Sequence, residues 1–160
     1  MAYQKILVAV DRSQQGELVF NKSLEIARKN QAQLTIFHCL PIDTRENPAI
    51  YSDLYGQNLG NYARAIQEHL DREKEQTRQW LTAYCDRAVR SGVQADWDWQ
   101  FGNPGRRIQQ IAKQWQPDLI VVGRRDRNNI QELMMGSVSN YIVHRASCSV
   151  LVVQGSESQQ

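Results

Sequence analysis

Apolar positions fall along the chain in two alternating rhythms. KILVAV at 5–10 is a continuous, β-branched run bounded by Asp11 and Ser13, which predicts a strand buried on both faces. Ser13 has the chemistry of an N-cap, and Phe20, Leu24 and Ala27 form one stripe on a helix reaching about Lys29. QLTIFHCL at 33–40 predicts a second strand. From Asn61 to about Arg90 a long helix is predicted. Tyr62, Ile66, His69, Leu70, Glu73, Thr77, Trp80, Leu81, Tyr84 and Ala88 recur at three- and four-residue steps, with a polar middle around Glu73 that weakens the stripe. Gly92 stands where a left-handed cap ends such a helix. QADWDWQ at 94–100 alternates like a strand with one polar face. Asn103 is placed to cap the next helix, with Pro104 first in it. Ile108, Ile111, Ala112 and Trp115 form its buried stripe, and Pro117 stops it. DLIVVG at 118–123 predicts the fourth strand, a helix runs from near Gly136 to about Arg145, and CSVLVV at 148–153 predicts the fifth.

The order βαβαβαβαβ needs crossover connections. The fold class is therefore α/β: a five-stranded parallel sheet with helices on both faces. Ligands bind such sheets beyond the carboxyl ends of the strands, where the strand order reverses. Asp11, Cys39, Gly123 and the 41–60 stretch all follow strand ends and so share that rim, while the strand order itself stays open. The segment 41–60 has two prolines, two glycines and mixed polarity. A connection of that length in a compact domain is functional or mobile. The last residues, 155–160, read as a polar tail.

Composition narrows the classes without choosing among them. At 160 residues the chain is expected to form a single domain, 1–154, with a long rim loop. Net charge is +2, from 19 basic and 17 acidic residues, too close to balance to argue for nucleic acid or a membrane surface. No apolar run approaches the roughly 20 residues of a membrane span. The opening MAYQKILVAVDRS has a short, strand-like apolar run and no small-residue cleavage site, unlike a signal peptide. Cys39, Cys85 and Cys148 are odd in number and lack a CxxC pair, which predicts reduced thiols in a cytoplasmic protein. His38 in an apolar strand reads as a satisfied core histidine. With no Cys or carboxylate at ligand spacing, a metal site has little support.

The segment VVGRRDRNNIQELMMGSVSNY at 121–141 carries the candidate chemistry. Gly123 at a strand end lets backbone approach a ligand closely, because no Cβ intervenes. Gly136 does the same just before a helix. There the free amides of Ser137, Val138 and Ser139 and the positive end of the helix dipole favour an anion. The hydroxyls of Ser137 and Ser139 are further donors. Arg124, Arg125 and Arg127 bring positive charge. Asp11 is placed to accept from ribose hydroxyls. Each has a plainer reading: Asp11 as the start of a helix-capping turn, the glycines as turns, the serines as N-caps, the arginines as a solvated face.

KILVAVDRS, GNPGRRIQQIAKQWQPDLIVVGRR and GSVSNYIVHRASCSVLVV resemble the universal stress protein family over nearly the whole chain. The resemblance implies an adenine nucleotide alpha hydrolase-like, Rossmann-like fold. The family's nucleotide-binding members carry a glycine, two residues, a second glycine, nine residues, then Gly-Ser or Gly-Thr. Here Gly123 is followed by Arg124 and Arg125, then Asp126, nine residues, and Gly136-Ser137. The resemblance puts Asp11 on the sugar or adenine side, with Ser13 of the same opening in the candidate set. It puts the backbone of Ala9 and Val10 against the base, Cys39 at the adenine-facing position and Val122 beside the purine. It also implies a homodimer through 148–153.

Asp126 departs from the pattern. A carboxylate there adds bulk and like charge near a polyphosphate, although Asp tolerates left-handed backbone and the arginines offset its charge. The expected ligand is ATP or AMP, with Mg2+ accompanying ATP, in a stress-response or signalling module with an unidentified protein partner. Two other classes stay open: a dimeric interaction module that binds no nucleotide, and a slow ATP hydrolase or autophosphorylating protein. The sequence offers the last no positioned base, arranged nucleophile or Mg2+ carboxylate pair.

Overall fold

In the computed structural model, residues 2–40, 59–124 and 136–155 are described. The elements follow as β1 (Lys5–Ala9), α1 (Gln14–Asn30), β2 (Gln33–Leu40), α2 (Leu59–Arg90), β3 (Ala95–Phe101), α3 (Pro104–Trp115), β4 (Leu119–Gly123), α4 (Ser137–Arg145) and β5 (Ser149–Val153). Strand bounds differ from the sequence reading by a residue: Val10 lies past β1, although its N–H still donates to Phe37 O at 2.9 Å. The rim stretch expected at 41–60 lies outside the described residues up to 58, and α2 begins at Leu59. Of the expected tail only residue 155 is described.

Local chemistry sets the ends. Ser13 caps α1, its hydroxyl accepting from Gly16 N–H at 3.3 Å. Asn103 caps α3, accepting from Arg106 N–H at 3.1 Å, and Pro104 opens the helix. Gly92 has φ +85 and closes α2. Two helices reach the left-handed cap position without glycine, at Gln31 (φ 54) and Gln116 (φ 53). A non-glycine residue pays a steric penalty there, and nothing in the sequence pattern marks either one.

Among the described residues all pairings are parallel, in the order β3-β2-β1-β4-β5. Ile6, Leu7 and Val8 of β1 and Ile120, Val121 and Val122 of β4 are at most 1% exposed, as expected of central strands covered on both faces. Alternation sorts their side chains into two layers. Ile6, Val8, Val10, Leu34 and Ile36 pack with Val19, Phe20 and Ala27 of α1 and Leu81, Tyr84 and Ala88 of α2. Leu7, Phe37, Ile120 and Val122 pack with Ile108 and Ile111 of α3 and Ile142 of α4. Each such side chain contributes about 1.5–3 kcal/mol by leaving water.

The two edges differ. β3 presents Asp96 and Asp98, both exposed, whereas β5 is Ser149 followed by Val150, Leu151, Val152 and Val153, all partly exposed. Among the described residues no helix is long and apolar enough to cross a membrane.

Candidate functional site

The strand order reverses between β1 and β4, so the crevice of this sheet opens where Ala9 and Gly123 end their strands. The turn leaving β1 is tightly organised. Ser13 N–H donates to Asp11 Oδ1 at 3.0 Å, and the Ser13 hydroxyl donates to the same oxygen. Asp11 therefore fills the helix-capping role that the sequence allowed it. Gly16 seals the turn from above: a Cβ there would stand 2.1 Å from the Asp11 carbonyl oxygen.

Gly123 answers first to packing. A Cβ on it would meet Val19 Cγ2 at 2.9 Å and the Gln15 side chain at 3.3 Å, so α1 lies directly over the end of β4. Gln15 Nε2 donates to the Arg124 carbonyl and lies 3.4 Å from the Val153 carbonyl. It thereby ties α1 to the ends of β4 and β5. Gly16 and Gln15 escaped the sequence reading. A glycine inside a helix was the available signal for the first; an exposed-looking glutamine gives none.

On the opposite face, Ala9, Cys39 and Val138 pack against the layer that contains Val122. Val122 is 1% exposed, so its side chain belongs to the core. Cys39 Sγ donates to Gly102 O at 3.1 Å. Burial pushes the Cys39 thiol up, against a smaller opposing pull from Arg107, which favours the protonated thiol at neutral pH. Gly102 has φ +130, and Arg107 closes over it, donating from Nε to Phe101 O at 2.8 Å.

Helix α4 begins at Gly136, which contributes no side-chain cap. The intrahelical ladder starts with Asn140 N–H to Gly136 O at 2.9 Å, which puts the amides of Ser137, Val138 and Ser139 ahead of it. The two serines differ. Ser139 is fully buried, and its hydroxyl turns back to Gly136 O at 3.0 Å, so it neither caps the helix nor faces outward. Ser137 is exposed in the first turn. The helix is held in place through Gly105, where a Cβ would meet the Tyr141 ring at 2.9 Å, and through Tyr141 O–H to Gln109 at 3.1 Å.

Behind the crevice stand two further side chains. His38 is 8% exposed, and its Nδ1 donates to Val10 O at 2.8 Å, which makes Nε2 the unprotonated nitrogen of the neutral ring. Burial chiefly holds its pKa below 6.5, as expected of a satisfied core histidine. Arg12 reaches across to α2. Arg125, Asp126 and Arg127 lie outside the described residues. Among the described residues no three His, Cys, Asp or Glu side chains are grouped to hold a metal ion.

The arrangement thus offers backbone donors for an anion at the start of α4, a carboxylate turn at the end of β1, and apolar and backbone surface between them. Comparison with known proteins agrees with the fold. A sequence profile described as "Universal stress protein family" matches residues 2–154. The chain is 39% identical over 154 residues to Universal stress protein Sll1388 of Synechocystis sp., covering 96% of this chain and 99% of that one. It is similar to the solved structure of universal stress protein UspA from Lactobacillus plantarum at TM-score 0.75 and 26% identity, covering 96% and 99% of the two chains. A third likeness, at TM-score 0.64 and 23% identity over 98% and 100%, is to a universal stress protein whose structure is described in complex with cAMP.

Proposed function

The chain belongs to the universal stress protein family, and from that premise we propose that it binds an adenine nucleotide at the crevice between β1 and β4 and acts as a stress-response or signalling module in the cytoplasm. One observation carries the reading: α4 starts beside this crevice at a glycine with no side-chain cap, so its leading amides and dipole favour an anion. In this reading the phosphates lie against Gly136, Ser137 and the amides of Val138 and Ser139. The sugar lies near Asp11 and Ser13. The base lies against the backbone of Ala9, Val10 and Val122, beside Cys39. The complex of a same-fold relative with cAMP agrees with an adenine ligand. Mg2+ enters, in this reading, as a companion of ATP and not through a protein carboxylate cluster.

Asp126 sets how many phosphates are tolerated, by like-charge repulsion. The variant Asp126→Gly strengthens ATP binding more than AMP binding; an equal gain for both in calorimetry contradicts this role. Protein purified without added ligand and then heat-denatured releases AMP, ADP or ATP, identified by mass. Protein that releases none and binds none on titration is instead an interaction module.

We also propose a homodimer through β5. Among the described residues β3 and β5 are the edge strands of the sheet, and β3 carries two acidic side chains that resist pairing while β5 carries none. Pairing β5 with its own copy about a two-fold axis gives a closed interface.

A further inference from the structure

We propose that Arg12 is a positioning residue through which the sugar end of the crevice and helix α2 reinforce each other. The proposal rests on the adenine-nucleotide reading above. Arg12 stands between Asp11 and Ser13 in sequence, yet its side chain belongs to another element. Nη2 donates to Thr77 Oγ1 at 2.7 Å, Nη1 donates to Gln76 Oε1 at 3.2 Å, and Nη1 lies 3.8 Å from Glu73 Oε2. The guanidinium carbon also stands 5.7 Å from the centre of the Trp80 ring. Thr77 is fully buried, and a buried hydroxyl is costly unless it is bonded, so this contact is part of how α2 docks.

A second tie runs in parallel. His38 donates to the Val10 carbonyl and meets Trp80 edge-on, with ring centres 4.8 Å apart. Successive residues of the turn are therefore each assigned: Val10 to His38, Asp11 to Ser13, Arg12 to α2. A turn held on both sides moves only with the helix that holds it. A ligand that accepts or donates at Asp11 must then bias the seating of α2 at 73–80, and by linkage the seating of α2 biases the ligand. The same geometry accounts for the polar interruption of the α2 stripe: Glu73 and Thr77 face Arg12 and pair with its guanidinium.

The test uses the full chain with AMP as probe. Calorimetry gives the affinity, and hydrogen exchange with and without AMP gives the protection of the α2 amides at 73–80. In wild type, AMP slows exchange there. In Arg12→Met, AMP binding weakens about five- to tenfold and the AMP-dependent protection of α2 disappears. Thr77→Val, which keeps the shape and removes the acceptor, gives the same loss to a smaller degree, while Lys22→Ala changes neither reading. A purely structural tie lowers stability but leaves the AMP-dependent exchange difference intact. Wild-type affinity and intact protection in both variants overturn the proposal alone. A wild type that binds no adenine nucleotide overturns the function, and this coupling with it.

Discussion

Gly123 and Gly136 belong to one spacing pattern but stand in different surroundings. At Gly123 the neighbour is the protein itself, because Val19 and Gln15 occupy the space of a Cβ. Gly123→Ala is therefore expected to lower stability by about 1–3 kcal/mol with no ligand present. Chemical denaturation checks it, and an unchanged midpoint means that α1 yields freely. At Gly136 the backbone is extended (φ −60), which any residue adopts, so in the proposed reading glycine there serves the close approach of an anion. His38 carries a proton-linked cost. Burial holds its pKa below 6.5, helped by Arg12 and opposed by the Val10 carbonyl, Asp11 and Glu73. The unfolded chain therefore binds the proton first. Stability from this group is whole above pH 6.5 and falls as pH drops through the lowered folded value. His38→Gln should flatten the stability profile below pH 6.5; an equally steep acid loss in that variant assigns it to other groups.

Among the elements, the strands and the helices between them were legible because continuous apolar runs and three- and four-residue stripes between turn residues have few other uses. The caps at Ser13 and Asn103 were legible for the same chemical reason. What escaped were long-range placements. The polar middle of α2 reads as a flaw in a stripe until Arg12 is seen against Thr77. The buried hydroxyl of Ser139 reads as a free donor until it is seen on Gly136 O. Strand order was also beyond the pattern, and only with it does β5 become an edge. If β5 pairs with its copy, Val152→Lys should shift the mass in light scattering from dimer toward monomer while circular dichroism keeps the α/β signature. A wild type that is already monomeric at high micromolar concentration contradicts the pairing.

At the scale of the molecule, one crevice gathers the ends of β1 and β4, the start of α4, and the turn that Arg12 ties to α2. Of the candidate residues, Asp11, Gly123 and Gly136 could be proposed from strand ends and a helix start, which leave turn residues in the sequence, whereas Ala9 and Ser13 entered through the family resemblance. Their neighbours Gln15, Gly102 and Arg107 were not legible, since each acts through a partner distant in sequence or through backbone. The central claim is that this crevice takes an adenine nucleotide with its phosphates at α4. Its most direct test is calorimetric titration of AMP and ATP into wild type and a folded Gly136→Asp variant, in which added bulk and negative charge stand where phosphate must approach. Saturable binding to wild type and loss of most affinity in the variant are expected; equal binding to both places the nucleotide elsewhere and contradicts this site.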